Sequence, residues 1–365
     1  MTKVVVIGGG VMGASAAWRL ARRGAEVVLL EQFSPRHDKG SSHGSSRIFR
    51  LAYPDRLYVD LAARAQQLWR ELESVTSTPV LTLTGAVDHG PLTATAPLHE
   101  ALTSAGHPSE LLSPSEASAR WPGLQFDSSV LFHPDAGRVH ADDAVSALQQ
   151  AAARAGAEVR HGARVAGVTP RGDAAQIVLA DGTTLDADVA VVAAGGWLPY
   201  LFAGAFSLPP VRVTQEQPAH FSVTGNLDPL TWPSFIHHGG GEIPADEGVY
   251  GTGSIDGIKV GRHAVGPVID PDRRDRSIDQ TRVADLQEYA RRWLPGVNHA
   301  HPEPSTCLYT ITPDHDFLID RVGPLAVLGG FSGHGFKHAP AVGELAAALV
   351  LDNVSASKRF SLDRF

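Results

Sequence analysis

A doubly wound α/β domain joined to a second, β-rich (α+β) domain is the fold class that this 365-residue chain predicts. Three observations lead there. The chain opens on a strand, a glycine turn and a helix; helical periods then alternate with apolar strands that end in glycine; and two long intervening stretches are rich in Pro, Gly, Ser and Thr.

Taken in order, Val4-Val5-Val6-Ile7 is a β-branched run that stops at Gly8, and residues 14–23 carry helix formers closed by Gly24. A second apolar run, 27–30, ends at Glu31. Two parallel strands around one helix require a right-handed crossover, the start of an open twisted sheet. Leu57, Leu61, Ala65, Leu68 and Leu72 recur at three- and four-residue intervals and mark an amphipathic helix. Val145, Leu148 and Ala152 repeat the pattern before Gly156, and residues 158–164 lead into another strand at Val165. Residues 188–194 form a continuous apolar strand running into Gly195-Gly196-Trp197. A further strand, 325–328, runs into Gly329-Gly330 and then a helix over about 341–350. The first domain is therefore expected from residues 1–81, 138–210 and 300–365, and the second, a substrate domain, from 82–137 and 211–299.

Hydrophobic residues make up 43% of the chain, enough for a sizeable core over two domains. The 31 basic and 39 acidic residues give a net charge of −8, with no basic stripe interleaved by aromatics. Nucleic acid and anionic membranes are poor partners for such a chain, so small-molecule chemistry is expected. Met1-Thr2-Lys3 runs directly into the first strand, and no apolar run approaches the ~18 residues of a membrane span, so a cytoplasmic protein is expected. A single cysteine agrees with that compartment. Lysine is scarce: Lys3, Lys39, Lys259, Lys337 and Lys358 stand against 26 arginines. A lysine in an apolar, glycine-rich setting therefore calls for a specific explanation.

Gly8-Gly9-Gly10-Val11-Met12-Gly13 satisfies GxGxxG between a strand and a helix, with Gly8 for the turn, Gly10 for close diphosphate approach and Gly13 for helix packing. Glu31, at the end of the second strand, suits a ribose hydroxyl pair, so a dinucleotide is expected. The fingerprint does not separate FAD from NAD. FAD is favoured by two more strands ending in glycine clusters, Ala194-Gly195-Gly196 and Gly329-Gly330 with Gly333 and Gly335. The second feeds a helix whose N-terminal amides can stabilise negative charge on a reduced isoalloxazine.

From GGGVMG through SSHGSSRIFRLAY, RWPG, GIKVGRH and CLYT to GFSGHGFK, nearly the whole chain resembles the monomeric sarcosine oxidase and N-methyltryptophan oxidase family, within the D-amino acid oxidase-like flavoproteins. The resemblance implies a FAD-binding Rossmann-like domain and a flavin-dependent oxidase of secondary amino acids, N-methyl or cyclic. Hydride would pass to covalent FAD, water would hydrolyse the imine, and dioxygen would reoxidise the flavin to give hydrogen peroxide. It further implies a thioether from Cys307 to FAD, Arg47 against the flavin, Arg50 and Lys337 on the substrate carboxylate, and Lys259 activating dioxygen. His263 and Tyr250 would line the substrate cavity, with His43 and Ser46 beside the cofactor. The cofactor-binding set also takes in Gln32, Ser42, Val165, Gly330, His334 and Phe336, together with the glycine clusters and Lys337. A monomer is expected on the same ground.

Elementary chemistry supports these roles. An amino acid oxidase must hold a carboxylate while its amine stays neutral, and paired cations such as Arg50 and Lys337 do the first. A surface ion pair is the plainer reading of Arg50. Alternation in Gly257-Ile258-Lys259-Val260-Gly261 can turn Lys259 inward, where a buried ammonium would stabilise superoxide; a strand-edge lysine is the plainer reading. Cys307 has no disulfide partner and no metal-ligand spacing, and a lone thiol is otherwise a small buried hydrophobe.

No metal is expected at His237-His238-Gly239-Gly240-Gly241-Glu242, because adjacent strand residues point to opposite faces. Gly330-Phe331-Ser332-Gly333-His334 lacks the closing glycine of GxSxG, which argues against acyl transfer. Residues 211–250 depart most from the family pattern, so the identity of the amine is expected to be decided there. Two alternatives stay open: a D-amino acid oxidase- or dehydrogenase-like enzyme with noncovalent FAD and another electron acceptor, and a flavin-binding protein without catalysis.

Overall fold

The structure, a computed structural model, describes residues 1–202, 204, 208–240 and 243–365. Its central sheet has six strands in the order Leu318–Val322, Leu325–Gly329, Val189–Val192, Lys3–Ile7, Glu26–Glu31 and Glu158–His161, of which Leu318–Val322 alone is antiparallel. The inner strands read as unbroken apolar runs because both faces are covered. Val4, Val6 and Val191 pack with the helices Val11–Arg22, Ala141–Arg154 and Ala339–Leu351. Val5, Ile7, Ala190 and Val192, one residue out of step, pack with a three-stranded sheet of Val165–Arg171, Ala174–Leu179 and Thr184–Ala187.

The first helix begins at Val11 rather than residue 14, so Gly13 lies within it, and the last spans Ala339–Leu351. The amphipathic helix is Arg56–Thr76, capped by the Asp55 carboxylate, which accepts from the Leu57 amide at 2.8 Å. The expected strand leading to Val165 is two strands, Glu158–His161 in the parallel sheet and Val165–Arg171 in the sheet beneath it.

A second sheet has eight strands in the order Glu303–Pro304, Ala219–Phe221, Gly257–Arg262, Ile243–Ser254, Ser234–Gly240, Ala86–His89, Val130–His133 and Glu110–Leu112. The stretches 82–137 and 211–299 meet through one parallel pair, Ala86–His89 against Ser234–Gly240. Two pairings run across the divisions expected from sequence. Glu303–Pro304 joins Ala219–Phe221, and Arg212–Glu216 pairs with Cys307–Ile311, setting Cys307 opposite Glu216. Among the described residues no helix is long and apolar enough to cross a membrane.

Candidate active site

A cavity of about 840 Å³ lies between the turn after the first strand and the eight-stranded sheet, and residues from both line it. Its nucleotide end depends on glycine. Gly8 adopts φ +102°, and a Cβ there would stand 2.5 Å from the Ala193 carbonyl oxygen; at Gly13 a Cβ would stand 1.9 Å from the Gly8 carbonyl oxygen. No other residue lets strand, turn and helix close so tightly. The helix that follows has no side-chain cap and no acid in its first turn, and its Val11 amide donates to Ser42 Oγ at 3.2 Å. Its remaining first-turn amides present positive partial charge to an anion. Glu31 accepts the Gly9 amide at 2.7 Å and the Phe33 amide at 3.0 Å, with His37 Nε2 3.4 Å away. Burial pushes the Glu31 pKa up, but His37 and the two amides outweigh it and hold the carboxyl below its ordinary value. An ionised carboxylate keeps lone pairs for ribose hydroxyls. Ser46 Oγ is buried without a protein partner on the same wall. The cradle and donor set fit a flavin dinucleotide.

The catalytic, substrate-binding and cofactor-binding residues expected from sequence line this cavity except Gly13, His43, Gly329 and Gly330. Gly13 sits behind the turn. Gly330, at φ +60°, closes a strand end, where a Cβ would meet Thr312 Cγ2 at 2.4 Å. His43 is set back from the wall with Nε2 unpartnered; burial, then Arg47 and Lys259, pull its pKa to about 3.

Arg50 follows the short strand Arg47–Phe49, and its guanidinium lies 4.8 Å from the Tyr53 ring. Nη1 donates to the Ala52 carbonyl and stands 3.3 Å from Asp88 Oδ1. The plain surface reading of Arg50 is thereby replaced by a pair with a fully buried carboxylate. Asp88 also accepts from His238 Nε2 at 2.8 Å and His133 Nε2 at 3.1 Å. Burial pushes its pKa up, yet Arg50 and the two imidazoles win and hold it far below the carboxylate range. Lys337 stands on the turn Phe336–His338, which the Trp69 indole pins by donating to the Lys337 carbonyl at 2.9 Å. Its buried Nζ donates to the Tyr53 hydroxyl at 2.9 Å and the His334 carbonyl at 2.8 Å. Burial, then the neighbouring Arg50, pull the Lys337 pKa well down.

Lys259 occupies the middle of Gly257–Arg262, opposite His220 on one neighbouring strand and Thr252 on the other. A strand paired on both sides removes the edge reading. Ile258 and Val260 enter the second core, so Lys259 faces the cavity instead. Burial and Arg47 pull its pKa down to about 7, against the opposing pull of Cys307 and Asp256. Among the described residues its Nζ has no hydrogen-bond or carboxylate partner. Cys307, the chain's single cysteine, is buried in the same wall. The Tyr250 and Tyr309 hydroxyls bond each other, and burial pushes both phenols up. His263 lies 5.6 Å from the Tyr309 ring, and burial lowers it to about 4. Gly333, at φ +78°, brings the last glycine loop against Tyr309, whose ring a Cβ would strike at 2.2 Å. Arg47 is fixed by donating to the Ser46 and Ser41 carbonyls at 2.8 and 2.9 Å, with its guanidinium 5.7 Å from the Phe336 ring.

The two histidines of the 237–242 run part as expected, His238 to Asp88 and His237 to the Tyr289 hydroxyl at 3.2 Å; Gly241 and Glu242 lie outside the described residues. Among the described residues no three His, Cys, Asp or Glu side chains could hold a metal. Sequence reasoning missed Tyr53, Asp88, His133 and His238. The available signal was Asp88-His89, two titratable residues side by side at the end of a short apolar run.

The FAD dependent oxidoreductase family matches residues 3–349. A monomeric sarcosine oxidase from Streptomyces avermitilis is 35% identical over 97% of this chain and 94% of that relative. An N-methyl-L-tryptophan oxidase from Yersinia pestis is 30% identical over 99% of each. The open form of NikD, an unusual amino acid oxidase essential for nikkomycin biosynthesis, shares the fold at TM-score 0.85 and 23% identity, over 99% of this chain and 98% of that one. The chain belongs to the FAD dependent oxidoreductase family.

Proposed function

We propose that the protein oxidises secondary amino acids, N-methyl or cyclic, with dioxygen as acceptor and hydrogen peroxide as product. Relatives named for sarcosine and N-methyl-L-tryptophan support the substrate class. The observation that carries it is the pair Arg50 and Lys337 in the cavity that contains the dinucleotide cradle.

FAD, when bound, supplies the two-electron acceptor for the carbon–nitrogen bond. Arg50 and Lys337 hold the substrate carboxylate through charge-assisted hydrogen bonds and so orient the carbon next to nitrogen. Positive potential from Arg47 favours the neutral amine that oxidation requires. His263 and His334, kept neutral by burial, add no opposing charge and can hydrogen-bond that amine. Tyr250 and Tyr309 stay protonated and close the wall beside Cys307. Among the described residues Lys259 is the cavity amine without a hydrogen-bond partner, and an oxygen anion developing beside it would hold a proton on Nζ.

Covalent attachment through Cys307 completes the proposal, supported by a buried thiol in the cavity wall and no competing cysteine. The single cysteine also supports a cytoplasmic setting, and the relatives' name supports a monomer. Peroxide release measured over a panel of N-methyl and cyclic amino acids, each beside its decarboxylated amine, tests the function. Turnover is expected only where the carboxylate is present; equal turnover of the bare amines, or none anywhere, sinks the reading. Acid precipitation is expected to leave a yellow pellet, and Cys307→Ser a colourless one.

A further inference from the structure

The two cations of the carboxylate clamp are not equivalent. Arg50 already has a resident counter-ion in Asp88, whose own charge is further satisfied by His133 and His238. Lys337 has none: it donates to a neutral hydroxyl and a neutral carbonyl, and no carboxylate stands within ion-pair distance of it among the described residues. It is buried, and it shares its pocket with a guanidinium.

The groups facing Lys337 come from every element around it. Arg50 and Tyr53 follow the strand Arg47–Phe49, Asp88 belongs to the eight-stranded sheet, and His263 stands just beyond Gly257–Arg262. Tyr58 comes from the long helix and stacks on Tyr53 at 5.2 Å, while His334 and His338 flank Lys337 in its own segment. Burial pushes Tyr53 up to about 12 and keeps the two flanking imidazoles neutral. The only permanent charges in this set are therefore Arg50 and Asp88, which largely cancel. A primary amine in such surroundings gives up its proton readily, whereas a guanidinium does not.

We propose that Lys337 takes up a proton when the substrate carboxylate docks, so that the clamp becomes fully charged only in the complex. This rests on the reading of Arg50 and Lys337 as the carboxylate site. The arriving carboxylate supplies the counter-ion that Lys337 lacks, and the ammonium form is then the favoured one. The charge so gained opposes a second positive charge on the substrate nitrogen nearby. Docking the carboxylate thus helps to select the neutral amine, which ties binding to readiness for oxidation. The permanent cation Arg50 gives anchorage, and the titrating Lys337 gives the coupling.

The test uses the FAD-loaded enzyme and methoxyacetate, which has the shape of an N-methyl amino acid but no amine to titrate. Its Kd is read from the flavin absorption change between about pH 6 and 10, and protons are counted calorimetrically in buffers of different ionisation heat. Wild type is expected to take up close to one proton in the upper part of this range, with Kd rising about tenfold per pH unit there. Lys337→Arg, which stays charged, is expected to bind methoxyacetate with no uptake and a flat profile. Lys259→Met is expected to leave the proton count as in wild type. A flat wild-type profile with no uptake, while Arg50→Gln and Lys337→Met still weaken binding, overturns the proposal and spares the clamp. Uptake that persists in Lys337→Arg overturns the assignment to Lys337. Binding indifferent to both Arg50→Gln and Lys337→Met removes the clamp and the proposal with it.

Discussion

Asp88 Oδ1 lies 3.3 Å from Arg50 Nη1 with no part of Asp88 exposed, so the arginine proposed to bind the substrate carboxylate is held by a carboxylate that solvent never reaches. Removing one member of a buried pair strands the other, along with the His133 and His238 donors that Asp88 also serves. Asp88→Asn is expected to cost about 3–5 kcal/mol, seen as a lower Tm. The carboxyl titrates below its ordinary range in the fold, so this stability is present above about pH 4 and fades as pH falls further. A variant that melts like wild type at neutral pH would show that the pair is not a structural support.

Buried neutral imidazoles make the fold sensitive to mild acid. His220, His237 and His263 are each lowered to about 4, His43 to about 3, and His89 well below its ordinary value, burial being the leading cause throughout. Unfolded histidine binds its proton near pH ~6.5, so the unfolded chain gains protons first and stability falls as pH drops below that value. Tm is expected to decline steadily from pH 7 to 5 on the order of the linkage slope. His89→Phe is expected to lessen the slope, because the His89 ring packs at 4.0 Å on His237 and edge-on to Phe126 with Nδ1 unpartnered.

Gly13→Ala is expected to abolish flavin retention. Its methyl would stand 1.9 Å from the Gly8 carbonyl oxygen, and the strand, turn and helix must separate to admit it. Gly24→Ala is the matched control: it carries φ +83° but has open space, so it is expected to cost only about 1 kcal/mol and to purify yellow. Flavin absorption per chain separates the two. A fully loaded Gly13→Ala protein would refute the cradle.

Lys259→Met is expected to separate the two halves of the reaction. Anaerobic bleaching of the flavin by substrate should change little, whereas reoxidation by dioxygen should slow by about 10²-fold or more with the ammonium gone. Stopped-flow measurement of each half decides it; equal slowing of both would place Lys259 in substrate binding.

Local pattern carried the nucleotide half of this protein. Strand, glycine turn and helix are short-range events, and the tightest conflict, Gly13 against Gly8, lies within a few residues, although Gly8 is also held by Ala193 from a distant strand. Alternation in one strand allowed Lys259 to turn inward, and the burial of Ile258 and Val260 on the opposite face decided it. The resemblance supplied the roles of Arg50 and Lys337, but no local period shows what surrounds them.

Only the assembled structure decided that surrounding. Asp88 reaches His238 because Ala86–His89 runs parallel to a strand 150 residues further on, and register alone sets Ile236 beside Asp88. Tyr53 meets Lys337 across 284 residues because the strand Arg47–Phe49 packs on the turn Phe336–His338. A parallel pairing has no turn to announce it, so its partners and register are chosen by packing of the whole sheet rather than by any neighbouring residue. The chain by itself pointed to a flavin-dependent fold, and its resemblance named the cations expected at the site. Tertiary packing decided that Arg50 has a buried counter-ion and that Lys337, among the described residues, has none.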